Sequence, residues 1–420
     1  MRTKRPNHAL AALALLLALP SCGGGGSFDN LYPIWVPTDV LVADIDGDGR
    51  RDIVTIAQLA SGPSQREGHL VVRRQTAPGS FAAPQTYIAG AYPWKIAAGD
   101  INGDGKTDLV VADAGSSAAG SADGFVWMLT QDPAGGGVFR SPRLLLQTSS
   151  DPAGIVIGDM NGDGLPDLVV ATHLPGTEGA TILLQDAARP GDFLPPAPLP
   201  LPGNAVAVCA GDLDGNGRTD IVVRVAVSTV QGISDTALGV VYQSAGGILL
   251  PWEQLPSDRT GLFSNLLAST DLNGDGLVDL VEFLVPQSTE YRIHVGALIR
   301  SPAGLFQGTD SLPADLRGAN GAAAADLDGD GRPDLAIAGS YPEGSPSRVE
   351  SRLYILHQDG SGSFLSAGSI DMPLPAWRVA AGDLDGDGLS DLVVLGGENR
   401  VILLLQSATE PGSFAGPRIP

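Results

Sequence analysis

The sequence predicts an all-β fold, a seven-bladed β-propeller with four-stranded blades. Three observations predict it. A nine-residue stretch, D-x-D/N-G-D/N-G-x-x-D, occurs seven times, starting at Asp44, Asp100, Asp159, Asp212, Asp271, Asp326 and Asp383, with starts 53 to 59 residues apart. A near-constant period of that size, kept over almost the whole chain, means one supersecondary unit repeated. Short apolar runs of strand-forming residues leave the stretch, such as Leu392-Val393-Val394-Leu395, and no helical periodicity follows residue 22. The run before the stretch is rich in small residues, as in Ile96-Ala97-Ala98-Gly99 and Ala322-Ala323-Ala324-Ala325. Innermost strands of a ring converge on its axis, where small side chains fit, which favours a closed ring over a β-solenoid.

Residues 1–21 read as an export signal. Arg2, Lys4 and Arg5 supply the charged end, and Ala9 to Leu19 is an apolar run too short to span a bilayer. It ends in Leu19-Pro20-Ser21-Cys22, which resembles a bacterial lipobox. The resemblance implies that Cys22 becomes the lipidated first residue of the mature chain; plain secretion with cleavage nearby is the alternative. Gly23 after the cysteine, in place of Asp, implies passage to the outer membrane or cell surface. Residues 22–37 are expected to form the anchor and a tether reaching about 15–20 Å, with Gly23-Gly24-Gly25-Gly26-Ser27 as its flexible segment. Residues 38–420 are expected to form the propeller.

Within a repeat, the seventh shows the pattern best. Arg378 to Gly382 leads into the nine residues as strand 1, Leu392 to Leu395 leaves as strand 2, and Val401 to Leu405 is strand 3. Gly412-Ser413-Phe414 is expected to open strand 4. The same Gly-x-Phe marker recurs at Gly79, Gly137, Gly191, Gly304 and Gly362, with Gly247-Ile248-Leu249 in its place in the fourth repeat. A fourth strand at the C-terminal end makes every blade complete in sequence, so the first and last blades meet without exchanging strands. A clasp from Phe28 to Trp35 is the other way to close the ring.

The nine residues carry side-chain oxygens at positions 1, 3, 5 and 9 in every copy. They are Asp44, Asp46, Asp48 and Asp52; Asp100, Asn102, Asp104 and Asp108; Asp159, Asn161, Asp163 and Asp167; Asp212, Asp214, Asn216 and Asp220. The last three copies supply Asp271, Asn273, Asp275 and Asp279; Asp326, Asp328, Asp330 and Asp334; Asp383, Asp385, Asp387 and Asp391. Carboxylates this close repel one another unless a cation sits between them. Hard oxygen ligands at alternate positions suit Ca²⁺, up to seven ions in all, better than Mg²⁺ with its tighter octahedral demand. Ordinary D-G hairpin turns would explain one copy, but not aspartate at position 9 seven times. EF-hand loops are longer, end in glutamate and lie between helices, and nonapeptide β-helices repeat every nine residues.

The repeats resemble those of the FG-GAP/VCBS family, which includes the integrin α-subunit propeller. The resemblance covers about residues 38–420. It implies a calcium loop joining strands 1 and 2 on the lower face. The Phe-Gly and Gly-Ala-Pro signatures of the integrin members are only loosely present, so integrin-like partners do not carry over.

The formal net charge is −22, and the loops hold 24 aspartates at ligand positions. The loops therefore account for the acidity, and no basic stripe is left to bind nucleic acid. With Cys22 lipidated, Cys209 has no partner, and its Val-Ala-Val-Cys-Ala-Gly run reads as buried strand. No His-Glu-x-x-His or Gly-x-Ser-x-Gly motif is present. His69, His173, His294 and His357 are scattered over separate blades without ligand spacing. No catalytic constellation is visible.

A candidate ligand site comes from the aromatics. Trp94 and Trp377 each lie six residues before a loop, followed by Lys95 and Arg378; Trp35 lies nine before the first loop and fits only loosely. These belong to blades two, seven and one, neighbours in a closed ring, on the face opposite the loops. Packing against the next blade is the competing reading. The expected function is a calcium-stabilised extracytoplasmic binding or adhesion module, monomeric, tied to the membrane by its lipid alone, with a protein or glycan ligand. A polysaccharide-active enzyme and a scaffold for another envelope protein are the alternatives.

Overall fold

The computed structural model describes residues 34–60, 66–115, 123–172, 179–228, 234–255, 267–284, 294–300, 306–309, 319–342, 349–360 and 363–418. The residues expected to form the export signal and the glycine tether, with Cys22 and Phe28, lie outside the described residues, as does His173.

Seven antiparallel sheets follow one another along the chain, each in simple up-and-down order. Blade one is built from Ile34–Ala43, Asp52–Ala60, Arg66–Arg73 and Gln85–Ile88, so its first strand begins inside the stretch expected to be tether. Blade two uses Pro93–Gly99, Asp108–Asp113, Gly124–Leu129 and Arg143–Thr148. Blade seven has Ala376–Gly382, Asp391–Gly396 and Arg400–Leu404, and its fourth strand is reduced to a bridge between Leu403 and Arg418. The fold is the seven-bladed propeller the repeat predicted.

Second strands are buried on both faces and read as continuous apolar runs, Leu109-Val110-Val111 and Leu392-Val393-Val394 among them. Each face meets one neighbour. Seven hydrophobic clusters result among the described residues, one between each pair of consecutive blades. The cluster of Val40, Ile53, Leu384, Val393, Leu395 and Leu403 joins blade seven to blade one and closes the ring without strand exchange. Cys209 sits buried in the cluster between blades four and five, where burial pushes its thiol up to about 12.

The Gly-x-Phe marker is not, in general, the start of strand 4. In blades one, two, three and seven it forms a small hairpin after strand 3, pairing Gln75 with Phe81, Gln131 with Phe139, Gln185 with Phe193 and Gln406 with Phe414. The fourth strand of blade two comes later, at Arg143–Thr148. In blade six the two merge, because Phe364 pairs with Gln358 and the strand runs on to Asp371 past a bulge. Gly79 and Gly412 have φ of 63° and 79°, the left-handed backbone such a tight turn needs.

Candidate metal loops and the opposite face

In every blade the nine-residue acidic loop joins strands 1 and 2 at one end of the ring. Gly47 and Gly49 take φ of 78° and 86°, and the glycines at positions 4 and 6 are left-handed in all seven copies. That curls the loop around its first aspartate. Asp44 Oδ1 accepts the Gly47 and Asp48 amides and Oδ2 accepts that of Gly49, and Asp383 does the same for Gly386 and Gly388. Carboxylate oxygens of Asp44, Asp46 and Asp48 come within 4.8 Å of one another, as do those of Asp212, Asp214 and Asp220, of Asp326, Asp328 and Asp330, and of Asp383, Asp385 and Asp391. An ion with oxygen ligands at about 2.3–2.6 Å spans that separation, so the donor set fits calcium. The other three loops carry Asn102, Asn161 and Asn273 at position 3, an amide oxygen in the same place.

Position 9 has a second task. Its carboxylate is fully buried in all seven blades. Asp52 Oδ2 accepts the Ile45 amide at 2.9 Å and Oδ1 accepts the Gln75 amide at 2.7 Å. Asp167 does the same with Met160 and Gln185, and Asp391 with Leu384 and Gln406. Burial pushes Asp52, Asp108, Asp167, Asp220, Asp279 and Asp391 up to about 6, against the opposing pull of these amides. Asp334 is raised for the same reason.

The glutamine that follows strand 3 was not singled out from sequence. Its amide nitrogen ties position 9 of its own loop, and in blades one, two, three, four and seven its side chain reaches the loop of the preceding blade, whereas Gln358 of blade six makes only the first contact. Gln131 Nε2 donates to the Ile45 carbonyl at 2.7 Å, Gln185 to that of Ile101, Gln243 to that of Asp159 and Gln406 to that of Leu327. Gln75 donates to Leu384, across the ring closure. The available signal was a glutamine six or eight residues before the Gly-x-Phe aromatic. Blade five has Arg300 there, whose amide still serves Asp279.

At the other end of strand 1 each described blade but the fifth carries a one-residue bulge, six residues before the loop: Thr38, Trp94, Ala153, Val206, Asn320 and Trp377. The next residues are Asp39, Lys95, Gly154, Ala207, Gly321 and Arg378. Neighbouring first strands press closely here: a Cβ on Gly321 would lie 2.8 Å from the Arg378 Cα. The three charged residues fall in consecutive blades. Lys95 Nζ is 3.6 Å from Asp39 Oδ2, and Arg378 Nε is 3.9 Å from Asp39 Oδ1. Burial pulls the Lys95 ammonium and the Arg378 guanidinium down, opposed in both by Asp39.

Of the predicted ligand residues, the structure thus brings Lys95 and Arg378 together. Trp94 is half-buried and stacks on Tyr92 of its own blade, ring centroids 6.0 Å apart and planes 17° from parallel. Trp377 is half-buried at the matching bulge of blade seven. Trp35 does not share that position, which belongs to Thr38; its backbone pairs with Leu59, and its side chain lies outside the described residues. A groove of about 370 Å³ opens elsewhere, lined by Thr148, Ser150, Thr172, Thr181 and Pro198, and contains none of these residues.

The FG-GAP-like repeat profile matches residues 44–111, 114–170, 161–223, 271–337 and 326–394, more than half of the chain. No curated protein matches it. Among solved structures, the chain is similar to a Bacillus licheniformis rhamnogalacturonan lyase, 14% identical over 93% of this chain and 75% of that one, with a TM-score of 0.48. It is also similar to the Dos1 propeller, 11% identical over 87% and 76% with a TM-score of 0.47, and to a Lactobacillus plantarum protein, 14% identical over 91% and 94% with a TM-score of 0.46. Likeness of this degree says nothing of what the chain binds.

Proposed function

The chain belongs to the FG-GAP-like repeat family, and from that premise we propose that it is a calcium-stabilised binding module of the cell envelope, held by a lipid on Cys22. Calcium in the seven loops would neutralise carboxylates that otherwise repel, and so brace the hairpin ends of all the blades. The loops are the frame, and the ligand lands on the opposite face.

The observation that carries this reading is the cluster made by the bulges. Two cations, Lys95 and Arg378, share one carboxylate, Asp39, which leaves a local excess of positive charge in a chain of net −22. Beside them the Tyr92–Trp94 stack and Trp377 offer flat apolar surface. Aromatic faces beside a cation suit a sugar that bears a carboxylate or another acidic group, and we assign the site to an anionic glycan.

A panel of acidic and neutral glycans, presented to the calcium-loaded chain, tests it. Binding is expected for acidic members and lost in the Trp94→Ala, Trp377→Ala double variant, with little change in Tm. A large fall in Tm would show that the indoles are packing residues, since truncating a buried aromatic costs about 3–5 kcal/mol. Turnover of a panel member would move the chain to the enzyme class. The anchor is tested separately: Cys22→Ser should shift the protein from the membrane to the soluble fraction, and a variant that stays with membranes through a detergent-free wash removes the lipid from the account.

A further inference from the structure

The residue just before the latch position, which is glutamine in every blade but the fifth, differs in every blade but two. It is Arg74, Thr130, Leu184, Tyr242, Ile299, His357 and Leu405 in order. In blade six this places an imidazole against the acidic loop. His357 Nδ1 lies 3.4 Å from Asp328 Oδ2, and donor atoms of Asp328, Asp334 and His357 all come within 4.8 Å of one another. The hairpin of blade seven covers the ring: a Cβ on Gly412 would be 3.1 Å from His357 Cε1. His357 Nε2 is buried and has no hydrogen-bond partner.

We propose that the blade-six loop is a zinc-class site, in which His357 supplies a nitrogen ligand beside Asp328 and Asp334 while the other loops offer oxygen alone. The inference rests on reading the loops as cation sites, and it adds a different ion at one of them. A separation of 3.4 Å is long for a hydrogen bond. It matches two ligands about 2.0–2.2 Å from one tetrahedral ion, which lie about 3.3–3.6 Å apart. Calcium has little use for imidazole nitrogen, whereas zinc and its neighbours bind imidazole together with carboxylate. Aspartates at positions 1 and 5, Asp326 and Asp330, remain to complete the shell or to hold water. Asp328 belongs to both donor groups, so the two ions compete for one loop and do not occupy it together. The matching position in blade one shows the opposite solution, with Arg74 Nη1 3.9 Å from Asp46.

Nothing in the residue spacing points to this contact, because His357 stands alone on its strand and its partners are 29 and 23 residues upstream. The strand-3 register alone brings them together.

The test uses the full chain, loaded with limiting Zn²⁺ in a large excess of Ca²⁺, freed of unbound metal and analysed for both elements. About one zinc per chain is expected to be retained. His357→Thr, which copies blade two, should bind zinc at least about 10–100-fold more weakly, since loss of an outer-shell partner alone costs that much, and leave calcium content unchanged. Co²⁺ in place of zinc should show intense visible absorption in the parent and only the weak bands of an all-oxygen site in His357→Thr. No zinc retained by the parent, or equal retention by the variant, overturns the proposal. If calcium proves not to stabilise the ring and zinc is still held through His357, the calcium reading fails and this one stands.

Discussion

The side chain of Gln75 donates to the carbonyl of Leu384, 309 residues away, and so ties the first blade to the last. The same bond recurs from Gln131 to Ile45 and from Gln406 to Leu327, between blades that are neighbours in sequence. Closure therefore uses the same bond that ties blades two, three, four and seven to the blade before each. Gln131→Ala should cost about 1–2 kcal/mol in denaturant unfolding, because it leaves the buried Ile45 carbonyl unpaired, and Gln75→Ala about 0.5–1.5 kcal/mol, because the Gly79 amide still donates to Leu384. A clear loss for Gln131→Ala with none for Gln75→Ala would mean that the ring is open in solution.

Acid and calcium should act in opposite senses. Folding raises the position-9 carboxyls from 3.8 to about 6, so between about pH 4 and 6 the folded chain binds more protons than the unfolded one. In metal-scrubbed buffer, stability is accordingly expected to fall as pH rises through that window. Bound calcium requires the ionised form, and at a hundredfold excess over its dissociation constant each site adds about 2.7 kcal/mol. With calcium present, stability should instead rise with pH, and calcium should restore Tm better than magnesium does. Calorimetry from about pH 4 to 7, with and without calcium, reads both slopes. Parallel slopes, or superposable melting curves, would reject these loops as cation sites.

Blade one should be the weakest of the loops with three close carboxylates. Arg74 sits 3.9 Å from Asp46, and its guanidinium opposes the rise that burial and Asp48 impose on that carboxyl. A cation there displaces a charge already paired. Arg74→Ala should strengthen calcium binding to this loop by a few-fold, about 0.2–1 kcal/mol for a partly exposed pair. Titration calorimetry checks it, and the gain should vanish in an Asp48→Ala background. A gain that survives there belongs to another loop.

The loops and the central strands were legible because they obey local rules. Seven copies of one carboxylate spacing, with glycine where the backbone must turn left-handed, cannot be produced by strand chemistry alone. The glutamine latch and the Gly-x-Phe hairpin were harder. Gln75 works on a residue of the last blade, and Phe81 looks like a strand residue until its turn is seen to close on Gln75. Lys95 and Arg378 were found through the tryptophans beside them. Asp39, which holds the pair, repeats nowhere, and only ring closure brings it between them.

Positions 5 and 9 of a loop should separate under mutation. Asp387 is exposed and caps only the Leu389 amide at 2.9 Å. Asp391 is buried and takes two amides, from Leu384 and Gln406, each at 2.7 Å. Asparagine offers one acceptor oxygen where the carboxylate has two, and turns an NH₂ group toward the second amide. Asp391→Asn should therefore destabilise the ring whether or not calcium is present, by about 1–3 kcal/mol for the orphaned buried amide. Asp387→Ala should be nearly neutral without calcium and costly with it, since a cation loses a ligand. Unfolding curves of the two variants with and without calcium make the comparison. If Asp387→Ala costs the same in both conditions, position 5 is a turn residue and the loop holds no ion through it. If Asp391→Asn is harmless without calcium, the buried carboxylate is not what fastens the latch.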